Sequence, residues 1–294
     1  MSLCRTLKNI VKRICDRRPK IEAKIVSLAK NELLKDRVIL ITGGSSGIGY
    51  SIAKAFLNSG SFVIITGRNQ QKLQLALEQL ARETNSTRII CQVFDNIDYP
   101  KFQSAVDQIN SELEKKGEKK IDGFVNNAGI NSTEVFPNFT SEKYDEIMTV
   151  DLKSVIFMTQ AFGKYMVANK IKGNILNINS VSCIRPNNTI YGIAKRGVLG
   201  ITLGAAKSLA PFGIVVNGIA PGPVATGMMN KNINDEISLN RVLLGRYILP
   251  EEIANMAVFL VSEMGNSMIG ETIFMTAGAG RLTLDDVSYD YNLN

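Results

Sequence analysis

The chain reads as an α/β protein, a parallel sheet with helices packed against it in one large domain. Short β-branched runs such as Val38-Ile39-Leu40-Ile41 have the continuous apolar character of strands covered on both faces. Longer segments with helical spacing of apolar residues alternate with these runs along the chain. The first run enters its helix through Thr42-Gly43-Gly44-Ser45-Ser46-Gly47-Ile48-Gly49, the strand, glycine turn and helix start of a dinucleotide phosphate site. Glycines let the backbone turn tightly and approach a pyrophosphate, while free N–H groups at a helix start favour its charge. With 294 residues, 45% of them hydrophobic, the chain can bury the core of one domain of about 250 residues.

Composition excludes several chemistries. There is no histidine, which removes Ser-His-Asp hydrolysis and most catalytic zinc sites. Cys4, Cys15, Cys91 and Cys183 are scattered without a C-x-x-C pair, so they read as reduced thiols of a cytoplasmic protein, and no metal is expected. The net charge of +7 is uneven. Residues 1–37 hold eleven Lys and Arg against four acids, and the remainder holds 23 of each sign. The main domain therefore carries no basic excess, and no nucleic acid partner is expected.

Residues 1–36 form a basic arm. Leu3, Leu7, Ile10, Val11 and Ile14 share one helical face and Arg5, Lys8, Lys12 and Arg13 the other, ending at Arg17-Arg18-Pro19. The plain reading packs the arm on its own domain or a sister subunit. The alternatives are peripheral contact of residues 1–18 with an anionic membrane surface, and a separate protein partner. Charges interrupt any secretory signal core, and no stretch approaches the length of a membrane span.

The domain proper is expected over 37–280. After the glycine turn, Ile48, Ile52, Ala55 and Phe56 give a helix closed by Gly60, and Ser61–Thr66 is a second strand. It ends at Gly67-Arg68, with Arg68 19 residues beyond Gly49, where such sites inspect the adenosine ribose. A carboxylate there suits the 2′-hydroxyl of NAD, whereas an arginine suits the 2′-phosphate of NADP. A merely solvated strand-end arginine is the alternative.

Gln70–Thr84 is a helix, Arg88–Phe94 a third strand, and Tyr99–Lys116 a helix that Asp98 can cap. Ile121–Val125 is a fourth strand, leading into Asn126-Asn127-Ala128-Gly129. One long helical stretch is expected from Ser141 through Met166, with Val150-Asp151-Leu152 near its middle. Asn174–Asn179 delivers Ser180, and Tyr191-Gly192-Ile193-Ala194-Lys195 precedes a helix over Arg196–Leu209. Ile214–Val216, with Ala220-Pro221-Gly222-Pro223-Val224-Ala225-Thr226 after it, and Glu271–Met275 supply the last strands, with a helix beginning near Pro250 between them. Residues 227–244 read as a lid without a recognisable specificity code, and 281–294 as a polar tail.

Tyr191 and Lys195 stand four apart, one turn apart on one helix face. A nearby cation stabilises phenolate and makes proton transfer by a tyrosine feasible. Taken alone, Y-x-x-x-K is weak. Taken in order with the glycine turn, Arg68, Asp95, N-N-A-G, Ser180 and the Pro-Gly segment, it resembles the classical short-chain dehydrogenase/reductase family over about residues 37–280, and the 3-oxoacyl-thioester reductase branch in the Pro250-Glu251-Glu252-Ile253-Ala254 segment.

The resemblance implies a Rossmann-like, doubly wound parallel sheet with the cofactor across its C-terminal strand ends. It implies NADP, preferred over NAD, held by Gly43, Ser45, Ser46, Gly47, Ile48, Gly49, Arg68, Asp95, Asn96, Asn127, Tyr191, Lys195, Val224 and Thr226. Asp95 would meet the adenine amine, and Val224 and Thr226 the carboxamide. Catalysis falls to Tyr191 as acid/base, Lys195 as its tuner and ribose contact, and Ser180 at the carbonyl oxygen, with Asp151 completing the set. The substrate would be a ketone or secondary alcohol, and the assembly a homodimer or homotetramer. Three positions depart from the family. Asp151 stands for an Asn that helps hold a water, and either pairs with Lys195 or acts through its backbone. The Ser180–Tyr191 loop is about two residues short, with Ser182 as a second candidate serine. Thr276-Ala277-Gly278-Ala279 replaces a D-G-G-like turn. Competing readings are a non-catalytic NADP-binding sensor or scaffold, and the sugar-nucleotide epimerase/dehydratase group, whose larger C-terminal region this chain lacks.

Overall fold

The computed structural model describes residues 30–131, 134–229, 237–240, 242–280 and 282. The expected amphipathic arm helix, with its membrane or subunit contacts, and nearly all of the tail lie outside the described residues. So does the middle of the expected lid.

Seven parallel strands form one sheet in the order β3-β2-β1-β4-β5-β6-β7. They are β1 (Val38–Thr42), β2 (Phe62–Gly67), β3 (Ile89–Val93), β4 (Gly123–Asn126), β5 (Asn174–Ile178), β6 (Val215–Pro221) and β7 (Thr272–Met275). Side chains alternate faces along each strand, so each strand feeds two cores. Ile39, Ile41, Val63 and Ile65 meet α1 (Gly47–Asn58), α2 (Gln70–Thr84) and α7 (Pro250–Val261) on one side. Val38, Leu40, Ile64 and Phe124 meet α3 (Phe102–Lys115), α5 (Ser154–Ala168) and α6 (Ile190–Leu209) on the other. The remaining helix, α4 (Ser141–Met148), covers the C-terminal strand ends with Ile147 packed near Ile190 and Ala194. Doubly wound architecture follows from apolar strands too hydrophobic to leave either face in water. Leu34, just before the first strand, is fully buried against the first core.

Strand order reverses between β1 and its two neighbours, β2 and β4, which opens a crevice at the carboxyl ends of the sheet. A buried polar ladder pins this edge. Asn126 Nδ2 donates to Thr159 Oγ1 (3.1 Å) and Asn177 Oδ1 (3.2 Å), and Asn177 Nδ2 donates to Thr202 Oγ1 (3.0 Å), tying α5, β4, β5 and α6 together.

Several elements differ from the sequence expectation. The helix expected over Tyr99–Lys116 opens with a 3-10 turn at Asn96–Lys101 containing Pro100, and α3 begins only at Phe102. Proline lacks the N–H that an α-helix interior needs. Asp95, not Asp98, caps that turn by accepting from Ile97 N at 3.2 Å, while Asp98 pairs with Lys101. The stretch from Ser141 is broken by a π turn at Thr149–Lys153. The helix expected from Arg196 begins six residues earlier at Ile190, because Thr189 caps it by accepting from Gly192 N. The strand expected over Ile214–Val216 runs on through Pro221.

Candidate active site

The glycine turn is built by steric need. Gly43 and Gly47 adopt φ +65° and +56°, the left-handed region that favours glycine. At Gly49 a Cβ would collide with the carbonyl oxygen of Gly43, so the third glycine allows α1 to sit down on the turn. The turn is then locked to β4. Thr42 Oγ1 accepts from Asn127 N (3.0 Å) and Ala128 N (3.2 Å), and Asn127 Nδ2 donates to the carbonyls of Thr42 and Gly43. Ser46, the N-cap of α1, makes no side-chain capping bond, which leaves first-turn N–H groups facing the crevice.

A cleft of about 400 Å³ runs from this turn across the sheet. Gly43, Ser45, Ser46, Gly47, Ile48, Arg68, Asn96, Asn127, Asp151, Tyr191, Lys195 and Thr226 all line it. The expected residues that do not line it, Ser180 among them, are equally informative. Gly49 lies behind the turn, and the Val224 side chain is buried in the core, beside a backbone bridge to Ile248. Asp95 lines an adjoining hollow with Arg68, Gln92 and Lys101, and one of its carboxylate oxygens is engaged by Ile97 N. Asn96 is the residue of that pair on the main cleft, buried with its Nδ2 unpartnered. Sequence reasoning passed over Thr42 and Asn179 as site residues. Asn179 Oδ1 accepts from Ser180 N at 2.9 Å, and its Nδ2 is buried without a partner. Their signal was position alone, each being a short polar residue at a strand end on the crevice side.

The far end of the cleft gathers the proton-handling groups. Thr189 starts α6 so that Tyr191 and Lys195 face the cleft from its first turns. Lys195 Nζ lies 5.4 Å from the Tyr191 ring centroid and donates to Ile178 O at 3.4 Å. The Ser180 hydroxyl lies near enough to Tyr191 to favour its phenolate, and its oxygen accepts from Ser182 N at 3.2 Å. Ser182 thus stands behind Ser180, with the two hydroxyl oxygens 3.3 Å apart.

Asp151 completes the cluster, and its carboxylate pairs with Lys195 rather than turning away. Asp151 Oδ1 lies 3.3 Å from Lys195 Nζ, with side-chain exposures of 0% and 5%. Its Oδ2 accepts from Ile130 N at 3.1 Å. Burial raises the Asp151 pKa, opposed by Lys195. Burial acts to lower Lys195, but the Asp151 carboxylate and Tyr191 outweigh it, so Lys195 is held above its usual value. Tyr191 is raised by burial above all. Lys195 opposes that shift and Asp151 adds to it, so the cation alone does not make the phenol acidic.

The chemistry of this lining fits a phosphorylated dinucleotide. The uncapped helix start and the positive-φ glycines suit a pyrophosphate, and Asn96 Nδ2 and Asn179 Nδ2 are buried, unpartnered donors on residues that line the cleft. Exposed Arg68 sits on the rim shared by both hollows. Among the described residues no cluster of His, Cys, Asp or Glu could hold a metal ion.

Comparison with known proteins gives the same family. A family model described as short chain dehydrogenase matches residues 37–237. The 3-oxoacyl-(acyl-carrier-protein) reductase of Chlamydia trachomatis is 34% identical over 252 residues, covering 84% of this chain and 98% of that protein. A 3alpha-hydroxysteroid dehydrogenase of Mediterraneibacter gnavus is 32% identical over 253 residues, 85% of this chain and 98% of its own length. Among solved structures, a short chain dehydrogenase from Burkholderia cenocepacia in complex with NADP superposes with a TM-score of 0.72 at 29% identity, covering 84% of this chain and 98% of that one.

Proposed function

Since this chain belongs to the short-chain dehydrogenase family, oxidoreductases acting on CH–OH and C=O groups, we propose that it is an NADPH-preferring reductase of ketones, with Tyr191 as its acid. One observation carries the reading. Tyr191 and Lys195 lie together in a cleft that also takes in the glycine turn and Arg68, with Ser180 near Tyr191 just off the cleft lining.

When bound, NADPH supplies the hydride that adds to the carbonyl carbon. The chain's own residues do the rest. Ser45, Ser46 and the N–H groups at the start of α1 hold the phosphates, and Arg68 takes the 2′-phosphate through charge-assisted bonds. Asn96 and Thr226 fix the two ends of the cofactor across the crevice. The hydroxyls of Ser180 and Tyr191 would both serve the substrate oxygen, where negative charge develops during reduction. Tyr191 gives its proton to that oxygen, and the Lys195 ammonium stabilises the phenolate left behind. The names of the relatives support a 3-oxoacyl thioester or a ketosteroid as the kind of carbonyl accepted.

Self-association is assigned to α5 and α6. Ile156, Val167, Ile201, Leu209 and Phe212 line an apolar groove of about 450 Å³ between these helices, and exposed Phe157 and Leu203 lie on the same two helices. Apolar surface of this extent on one face calls for cover, and a second copy of the same helix pair supplies it. No helix among the described residues is long and apolar enough to cross a membrane. We place the protein in the cytoplasm.

The test is a titration of both cofactors together with NADPH oxidation across a panel of ketones, 3-oxoacyl thioesters and ketosteroids. Tighter binding of NADPH than NADH is expected, weakened by Arg68→Ala by about 1.5–3 kcal/mol. Equal affinities in the wild type contradict the cofactor assignment, and an absence of turnover across the panel contradicts the reaction.

A further inference from the structure

The two oxygens of the Asp151 carboxylate have different partners. Oδ2 accepts from the backbone N–H of Ile130 (3.1 Å), while Oδ1 makes no hydrogen bond and is matched by charge alone, 3.3 Å from the Lys195 ammonium. A carboxamide in the same pose has one acceptor and one donor, so its NH₂ would be turned against either an N–H or an ammonium. A neutral carboxamide could keep the Ile130 bond but not the charge that faces the Lys195 ammonium.

The surroundings hold the carboxylate there. The π turn at Thr149–Lys153 inserts one residue into the helical course and swings Asp151 inward to full burial. Ser154 Oγ donates to Val150 O at 2.6 Å across this turn. Leu152 is seated where a side chain on Gly197 of α6 would have to go, and Gly129 leaves the space that Oδ1 occupies. The turn is therefore clamped between the end of β4 and α6. The titratable groups facing the Asp151–Lys195 pair are Tyr191 of α6 and Cys183 of the turn after Ser180. Cys183 is buried and its thiol is pushed up to about 11, so it stays neutral through the working range.

We propose that Asp151 is a positioning residue that fixes Lys195 as an ammonium ion and keeps Tyr191 protonated, setting the site to give a proton to a carbonyl rather than take one from an alcohol. The inference rests on the reductase reading above and gives it a direction. In reduction the carbonyl carbon gains the hydride, the oxygen gains the Tyr191 proton, and the tyrosine regains a proton from solvent. In oxidation the tyrosine must first be a phenolate. A fixed carboxylate on the far side of Lys195 partly cancels the field that would stabilise phenolate, so oxidation is pushed to more alkaline pH.

Two readouts test this in the full-length protein. The first is the ¹³Cζ resonance of Tyr191 followed against pH, assigned by its loss in Tyr191→Phe. The second is the basic limb of the oxidation pH–rate profile, measured with a secondary alcohol whose chemical step limits the rate. In Asp151→Asn both are expected to move to lower pH together. Resonance and profile both staying in place overturn the proposal. If the resonance moves but neither protein turns over any alcohol or ketone, the coupling stands and the reductase reading fails. Should Asp151→Asn not fold, Asp151→Ser removes the same charge. In the wild type itself, a Tyr191 resonance titrating at or below an ordinary tyrosine overturns the proposal without any variant.

Discussion

Two ion pairs are sunk into opposite edges of the same sheet, and they are built for opposite ends. At the amino edge, Arg37 Nε meets Asp122 Oδ2 at 3.0 Å. Arg37 also donates to the carbonyls of Val261 and Asp122 and to Asn174 Oδ1, while Asp122 accepts from Val38 N. Every arm of the guanidinium has a partner, and those partners come from β5, the end of α7 and the turn before β4. At the carboxyl edge, Lys195 meets Asp151 at a longer 3.3 Å and has one further acceptor, Ile178 O at 3.4 Å. The first pair is saturated and distant from the cleft. The second is less saturated, more deeply buried, and lines the cleft. A buried charge that is fully bonded fastens elements together, whereas one left with capacity can still respond to a reacting group.

The contrast can be pressed from the stability side first. Arg37→Met removes the hub of the saturated pair and leaves Asp122 buried without its cation. We expect a loss of about 2–3 kcal/mol, below the full cost of breaking a buried pair because both side chains keep some solvent contact. Chemical denaturation measures it, and turnover per folded molecule should be unchanged. A loss of turnover without a loss of stability would reverse the roles assigned to the two edges.

A smaller effect belongs to Glu252, whose carboxylate is more exposed than that of either other pair. It accepts from both Arg246 Nη atoms at 2.9 and 3.0 Å and from Leu249 N at 2.8 Å, closing the start of α7. The Arg246 bonds above all hold its carboxyl below the ordinary value of 4.5, against the effect of burial. A lowered folded-state pKa gives stability that is full above 4.5 and is lost as pH falls through the folded value. Glu252→Gln should cost about 1 kcal/mol at neutral pH, with solvent screening keeping it modest, and the gap to wild type should close in acid. Thermal unfolding at several pH values checks both parts, and a gap that widens in acid contradicts the sign.

The two edges also differ in how far the sequence foretold them. Apolar strand runs, the spacing Gly43-xxx-Gly47-x-Gly49 and the four-residue step from Tyr191 to Lys195 are local patterns. Their consequences are local too, so sheet, turn and helix face could all be read before the structure. Asp151 could not be fully read. Its inward turn depends on the π turn, which is set by Leu152 seating on Gly197 and by Gly129 leaving room, contacts between residues far apart in the chain. The sequence therefore left pairing and backbone use equally open. The corner after β3 shows the same limit, since Asn96 lines the main cleft and Asp95 the adjoining hollow, beside the turn that contains Pro100. The Arg37–Asp122 pair gave no pattern at all, because its partners are separated by 85 to 224 residues.

The central claim is that the carboxyl-edge cluster moves a proton through Tyr191. Tyr191→Phe removes one hydroxyl and leaves the Asp151–Lys195 pair and the glycine turn in place. NADPH oxidation with a responsive ketone and NADPH affinity should be measured on the same preparations of wild type and variant. The account predicts a rate lower by about 10²–10⁴-fold with cofactor affinity and thermal midpoint close to wild type. A variant that retains most of its rate would contradict it.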